Sequence, residues 1–100
     1  MALILTTPTE MAKALAERAK SLRLLKGWRR TTLAERAGVS PFSLKRFEQT
    51  GKASLELVLK VAHALGRLDE FDGLFRPPSA RSLAELEERA TKPVPKRGRL

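Results

Sequence analysis

The sequence predicts an all-α protein, and two observations lead to this fold class. Apolar residues recur three or four positions apart in each segment expected to be ordered, and no segment alternates apolar and polar residues over a convincing length. Signals that begin helices, namely Ser or Thr followed closely by Pro or Glu, precede several of these segments. The chain has 100 residues, which suits one small core.

The first helix is expected to begin at a capping box from Thr7 to Glu10 and to continue until Gly27. A second helix follows from about Arg30 to Ala37. The apolar residues that recur along one face of the first helix are Met11, Leu15, Leu22 and Leu25.

A tight turn is expected between the second and third helices. Gly38 supplies the permissive backbone that a sharp helix exit requires. Ser40 is the expected N-cap of a third helix that begins at Pro41 and ends near Gln49. The spacing of Leu44 and Phe47 buries one side of this helix and leaves its other side outward, with Phe42, Ser43, Lys45 and Arg46. This layout is typical of a helix-turn-helix that presents its second helix to the DNA major groove.

A fourth helix is expected to be capped by Ser54 and to end at Gly66. Its predicted apolar face is formed by Leu55, Val58, Ala62 and Leu65. A short fifth helix is indicated by Leu68, Phe71, Leu74 and Phe75.

The prolines after Phe75 separate a compact domain, residues 7–75, from an appendage, residues 76–100. In the appendage, a proline hinge precedes a short helix expected from Ser82 to about Ala90, with Leu83 and Leu86 on one side. Residues 91–100 are expected to be a disordered basic tail.

The distribution of charge favours a polyanionic partner. The net charge is +9 and the isoelectric point is near 10.9. Between Arg18 and Arg46, Glu35 is the only acid, against nine basic residues: Arg18, Lys20, Arg23, Lys26, Arg29, Arg30, Arg36, Lys45 and Arg46. Because this excess coincides with the helix-turn-helix, it points to DNA more strongly than composition alone would.

Other classes of protein fit the sequence poorly. The chain has no cysteine, so it offers neither a disulfide framework nor a thiolate metal site. His63 is the single histidine and has no neighbouring ligand set, and no Gly-rich phosphate loop occurs. We therefore expect no enzyme activity, no cofactor and no metal. No apolar run approaches a membrane span, and the first five residues are too short for a signal-peptide core, so a cytoplasmic protein is expected.

From Trp28 to Gly66 the chain resembles the helix-turn-helix of the Cro/phage-repressor (XRE) family. The resemblance is carried by Leu33-Ala34, Gly38-Val39-Ser40, Leu44, Phe47-Glu48 and Leu65-Gly66. It implies a five-helix, lambda-repressor-like DNA-binding domain that acts as a homodimer on inverted repeats.

The resemblance also implies which residues meet DNA. The residues expected to contact bases are Phe42, Ser43 and Arg46. Those expected to contact phosphates are Arg29, Arg30, Pro41, Lys45 and Gln49. Many relatives carry glutamine where this chain has Pro41, and proline cannot pair with adenine, so the reading of bases shifts to Arg46, which suits guanine. Phe42 has two readings, contact with a thymine methyl or packing on the first helix.

Further departures and alternatives concern neighbouring positions. Relatives tend to have Thr or Ser, then Gln, where this chain has Arg29-Arg30, so Thr31 or Thr32 is the expected cap of the second helix. Thr32 would form a capping box with Glu35. Glu48 is expected to hold a helix end or an arginine, and Trp28 to cover the junction of the first two helices.

The resemblance leaves two biological roles open. A compact repressor domain with a short amphipathic appendage is similar in layout to HipB-type antitoxins, which repress their own operon and hold a HipA-like kinase toxin inactive. The alternative is a standalone phage or chromosomal XRE-type regulator with no toxin partner. The apolar residues expected to form a dimer or partner interface are Leu68, Phe71, Leu74, Phe75, Leu83 and Leu86.

Overall fold

The computed structural model describes residues 7–78, which form an all-helical domain, as the sequence predicted. Helix α1 spans Pro8–Leu25, α2 spans Arg30–Ala37, α3 spans Pro41–Thr50 and α4 spans Leu55–Ala64. Helix α1 packs on α3, and α2 packs on both α3 and α4. None of these helices is both long enough and apolar enough to cross a membrane.

The predicted fifth helix is wrong as an α-helix, because the chain forms only a 3-10 turn at Leu68–Phe71. Gly66 adopts a left-handed backbone that ends α4, and Phe75 is left-handed as well, with φ of 62°. Most apolar residues of this segment are exposed, so little packing is available to stabilise a short α-helix there. The predicted helix with Leu83 and Leu86, together with the basic tail, lies outside the described residues.

Three of the predicted helix starts are confirmed. The hydroxyl oxygen of Thr7 accepts a hydrogen bond from the Glu10 backbone N–H at 3.1 Å. Ser40 accepts one from the Ser43 N–H at 3.0 Å, and Ser54 accepts one from the Leu57 N–H at 3.1 Å. Each bond satisfies a backbone donor that the first turn leaves unpaired, so each helix begins where its cap stands.

The predicted cap of α2 is wrong. Arg29 occupies the N-cap position in extended backbone, and no side chain caps the helix. Thr31 and Thr32 lie inside the first turn, where their hydroxyls are past the capping position, so the box with Glu35 does not form. Helix α2 therefore begins without the side-chain acceptor that α1, α3 and α4 have.

The core lies between the four helices, and its buried apolar residues are Ala16, Leu33, Ala34, Leu44, Phe47, Leu57, Val61 and Leu65. Two predicted faces need correction. Met11 and Leu25 of α1 and Leu55 of α4 are exposed, whereas Ala16 and Leu57 are buried. On α4, Ala62 and Leu65 are buried as predicted, whereas Leu57 and Val61 complete the buried face in place of Leu55.

The connection between α3 and α4 passes very close to α1. Gly51 has φ of 79°, and a Cβ built on it would lie 2.8 Å from the backbone nitrogen of Lys13 and 2.9 Å from the carbonyl carbon of Ala12. Only glycine fits both the left-handed backbone and this approach. The contact fixes the end of α3 against α1.

Candidate nucleic-acid interface

The turn between α2 and α3 holds these helices in a fixed relation. Gly38 has φ of 70° and ψ of 35°, the left-handed conformation predicted for the helix exit. The Val39 N–H donates to the Ala34 carbonyl at 3.0 Å, and the Val39 side chain packs against the core. Ser40 then caps α3, and Pro41 is its first residue.

Helix α3 has one buried and one exposed side. Leu44, Phe47 and Glu48 are its buried residues. Most of the predicted DNA-contacting residues lie on its exposed side, namely Pro41, Phe42, Lys45, Arg46 and Gln49. Phe42 is 77% exposed, so the reading in which it packs on α1 is wrong. Ser43 is half-buried, and its hydroxyl oxygen accepts a hydrogen bond from the Ser40 hydroxyl at 2.8 Å.

Glu48 holds two arginines, which confirms one of its two predicted roles. Its Oε2 accepts a hydrogen bond from Arg23 Nε at 2.8 Å, and its Oε1 accepts one from Arg23 Nη2 at 3.0 Å. Oε1 also accepts a hydrogen bond from Arg30 Nε at 3.1 Å. The negative charge on α3 is thereby neutralised inside the protein rather than presented to DNA.

Arg23 does not belong to the basic surface, although its charge counted toward the basic excess. It is buried on α1, and its Nη1 donates to the Trp28 carbonyl at 2.9 Å. Arg23 follows the buried Ala16 by seven residues and so lies on the same helical face, but only the structure shows that this face of α1 meets the core. A charged residue on a core-facing stripe indicates a buried ion pair.

The two arginines at the start of α2 differ in their surroundings. Arg29 is exposed and makes no ion pair within residues 7–78. Arg30 is half-buried and paired with Glu48. Both stand at the N-terminal end of α2, beside the turn that follows α1, so the positive charge predicted at the start of α2 is present on the surface.

Trp28 lies at the junction of α1 and α2, as predicted, and packs against the core while part of its ring remains exposed. Lys26 Nζ is 5.1 Å and Arg36 Cζ 4.5 Å from the ring centroid. Both are cation–π distances. His63 is exposed, and no group of three potential metal ligands occurs within residues 7–78.

The predicted interface residues within the described chain form an incompletely covered apolar set. Leu68, Leu74 and Phe75 are exposed. Phe71 is half-buried and lines a groove of about 620 Å³ between α1 and α4, together with Leu15 and Leu22. Leu83 and Leu86, the other two predicted interface residues, lie outside the described chain.

Comparisons with known proteins agree with this geometry. No curated protein and no solved structure gave a significant match. A family model described as Helix-turn-helix matches residues 20–71, slightly more than half of the chain. The match covers the last part of α1, all of α2, α3 and α4, and the 3-10 turn. The chain therefore belongs to the XRE-type helix-turn-helix family of DNA-binding transcription regulators.

Proposed function

We propose that this protein is a sequence-specific repressor in which the exposed side of α3 reads the major groove. The observation that carries the proposal is the separation of the two sides of α3. Its buried residues attach it to the core, and its outward residues are free to meet base edges. A helix of this kind at the second position of a helix-turn-helix enters the groove with its N-terminal part.

Base reading is assigned to three residues of α3. Arg46 is exposed and can donate two hydrogen bonds to guanine O6 and N7. Phe42 is exposed and apolar, which suits a thymine methyl. Ser43 makes a smaller contribution, because its hydroxyl already accepts a hydrogen bond from Ser40.

Phosphate contacts are assigned to residues at the start of α2 and along α3. Arg29 and Arg30 stand at the beginning of α2, while Lys45 and Gln49 are exposed on α3. Pro41 has no N–H to donate and contributes shape at the start of α3. Such contacts set the affinity and the orientation of the protein on DNA but carry no sequence information themselves.

The test begins by selecting bound sequences from a random DNA pool and then compares two neighbouring variants. Arg46→Ala should weaken binding to the selected site and bring its affinity toward that for random DNA, because it removes a base contact. Lys45→Ala should weaken binding to the selected site and to random DNA by a similar factor, because it removes a phosphate contact. Equal losses on both DNAs for Arg46→Ala would contradict its base-reading role.

We further propose that the protein acts as a homodimer on a pseudo-palindromic operator. Two copies would place their α3 helices in successive major grooves about one helical turn apart. The exposed apolar residues around the 3-10 turn support this proposal, since a small domain leaves such a set uncovered mainly at interfaces.

Light scattering on paired variants tests the dimer. Leu74 and Leu24 are similarly exposed, 56% and 57%, but Leu24 lies on α1, away from the predicted interface. Leu74→Glu should yield a monomer and Leu24→Glu a dimer. A dimeric Leu74→Glu protein would exclude Leu74 from the interface.

We also propose that the protein is an antitoxin that autoregulates its operon and neutralises a HipA-like kinase toxin. The apolar set around Leu74 and Phe75, continued by Leu83 and Leu86 in the sequence, supports a protein partner. The alternative, a standalone XRE-type regulator, has no such partner.

Truncation after Phe75 separates these roles if it is tested against any kinase-like protein that the neighbouring reading frame encodes. The antitoxin role predicts that the truncated chain no longer binds the kinase but still binds the selected DNA site. Reduced DNA affinity with a smaller salt slope would instead assign the basic tail to DNA. Retention of the kinase by the truncated chain would contradict the role of Leu83 and Leu86. Failure of the full chain to bind the kinase would favour the standalone regulator.

A further inference from the structure

We propose that Glu48 positions the guanidinium of Arg30 for a DNA phosphate. A buried carboxylate on the recognition helix would thereby direct a cation that belongs to α2. The inference rests on the proposed DNA-binding function and adds to it a residue that never touches DNA. Glu48 is a positioning residue in this scheme, and Arg30 is the residue that makes the contact.

The carboxylate of Glu48 is held still by Arg23. The Glu48 side chain is 1% exposed, and Arg23 grips both of its oxygens through Nε and Nη2. Arg23 is itself fixed by its hydrogen bond to the Trp28 carbonyl. A two-point pair of this kind sets the plane of the carboxylate, so Oε1 offers its remaining acceptor capacity in one direction.

Arg30 uses that capacity through one nitrogen only. Its Nε donates to Glu48 Oε1 at 3.1 Å, and its side chain is 31% exposed. Within residues 7–78 no hydrogen bond or ion pair engages its two terminal nitrogens. They are left for an acceptor that comes from outside the protein, and a guanidinium edge matches a phosphate in shape.

The charge of the cluster points to the same ligand. Two guanidiniums share one carboxylate, so the group of Arg23, Glu48 and Arg30 carries one uncompensated positive charge. Arg23 is buried and each of its three side-chain nitrogens donates a hydrogen bond within the protein, which places the excess charge on the partly exposed Arg30. An anion at the protein surface would balance it.

Fixing the Arg30 side chain in the free protein also lowers the entropy cost of binding DNA. A free arginine side chain loses considerable rotamer entropy when it is ordered at an interface, whereas a side chain already fixed by Nε loses less. Arg29, one residue earlier, has no ion pair and supplies charge without a fixed direction. We therefore expect the affinity to depend on the guanidinium shape at Arg30 and only on charge at Arg29.

The first test is NMR of the full chain labelled with ¹⁵N-arginine, with and without a short random-sequence DNA duplex. In the free protein, Arg30 Nε–H should be as rigid as Arg23 Nε–H, while Arg29 Nε–H should be mobile. On addition of DNA, the terminal nitrogens of Arg30 should become ordered with little change at its Nε. A mobile Arg30 Nε–H in the free protein, or a change at Nε larger than that at the terminal nitrogens, would overturn the proposal.

The second test compares two substitutions that preserve charge, on the same duplex. Arg30→Lys should weaken DNA binding about tenfold, nearly as much as Arg30→Gln. The single nitrogen of a lysine side chain cannot donate to Glu48 and to a phosphate in the planar arrangement that a guanidinium provides. Arg67→Lys is the matched control, since Arg67 also pairs with a glutamate, Glu70, but lies after α4, and it should bind as the original protein does.

The remaining outcomes separate this inference from the function on which it rests. If Arg30→Lys bound DNA as tightly as the unsubstituted protein while Arg30→Gln bound weakly, only the charge at this position would matter. That result would overturn the proposal that Glu48 positions Arg30. Original affinity in both variants would remove Arg30 from the interface. Failure of the unsubstituted protein to bind any DNA would instead refute the proposed function itself.

Discussion

Glu48 carries a negative charge on the helix that we propose meets DNA, and its burial explains how α3 tolerates this charge. Arg23 and Arg30 both donate to its carboxylate, and almost none of the side chain is exposed. A buried carboxylate with no cation would be very costly, so each member of this cluster requires the others.

At the residue scale we predict that Glu48→Gln will lower the free energy of unfolding by about 3–5 kcal/mol, because it leaves Arg23 buried without its counter-charge. Urea unfolding followed by the fluorescence of Trp28, the single tryptophan, measures this loss. Glu35→Gln, at an exposed position on α2, is the control and should change the free energy by less than about 0.5 kcal/mol. Similar values for the two variants would show that the ion pair contributes little.

The residues of the site differ in how well the sequence predicts them. The outward position of Phe42 and Arg46 follows from the spacing of Leu44 and Phe47, which is a local property of one helix. The burial of Arg23 depends on a partner 25 positions away in the chain, and no local pattern contains that information. The contacts with DNA remain predictions.

At the scale of elements, the N-terminus of α2 is positively charged and lacks a side-chain cap. Its N-cap is Arg29, whose side chain does not cap the helix. Serine at this position would accept a hydrogen bond from the first turn, but it would remove a cation that the proposed function uses. At the N-cap of α2, the chain therefore has a positive charge in place of a capping residue that would make the domain more stable.

We predict that Arg29→Ser will stabilise the domain and weaken DNA binding. The new cap should raise the free energy of unfolding by about 0.5–1 kcal/mol. The lost phosphate contact should lower the salt slope of binding to random DNA by about one. Urea unfolding and fluorescence anisotropy at several salt concentrations give the two values, and Arg29→Ala, which adds no cap, should show only the second effect. A gain in stability with an unchanged salt slope would remove Arg29 from the interface.

The loop between α3 and α4 supports a second prediction at this scale. Gly51→Ala should destabilise the protein by more than about 2 kcal/mol, since it adds a clash with the α1 backbone to the usual cost of left-handed alanine. Gly66→Ala isolates that usual cost, about 1–2 kcal/mol, because Gly66 has φ of 76° and open space around its Cα. Thermal unfolding of both variants provides the comparison. Equal losses of stability in the two variants would mean that α1 moves away from the new Cβ at no cost in free energy.

Helix limits and helix faces were not equally predictable. The limits of α3 and the caps of α1, α3 and α4 depend on residues adjacent in the chain, so the sequence predicts them well. The buried face of α4 depends on where α2 lies, so the prediction was right for Ala62 and Leu65 but wrong for Leu55, and it missed Leu57 and Val61. The fifth helix failed because apolar spacing alone does not outweigh the left-handed breaks at Gly66 and Phe75.

At the scale of the whole molecule, the basic excess is large but only part of it can reach DNA. The chain has 20 Lys and Arg residues. Within residues 7–78, Arg23 is committed to the interior, while Lys60, Arg67 and Arg76 pair with neighbouring acids. Net charge therefore overstates the number of cations available for contacts.

We predict that the logarithm of affinity for random DNA falls against the logarithm of salt concentration with a slope of about −2.7 per bound copy. This value corresponds to ~0.9 for each of three cationic phosphate contacts, at Arg29, Arg30 and Lys45. Fluorescence anisotropy between low and physiological salt measures the slope. A much steeper slope would contradict this contact set and require further cations, such as those after residue 90.

The two sides of α3 have one more consequence, which concerns how this protein can evolve. Leu44, Phe47 and Glu48 attach the helix to the core, and Phe42, Lys45 and Arg46 take no part in that attachment. Substitutions at the outward positions therefore leave folding largely intact. A duplicated copy of the gene can acquire a new operator through a few such changes, and two copies can diverge into separate regulatory circuits while keeping the same scaffold.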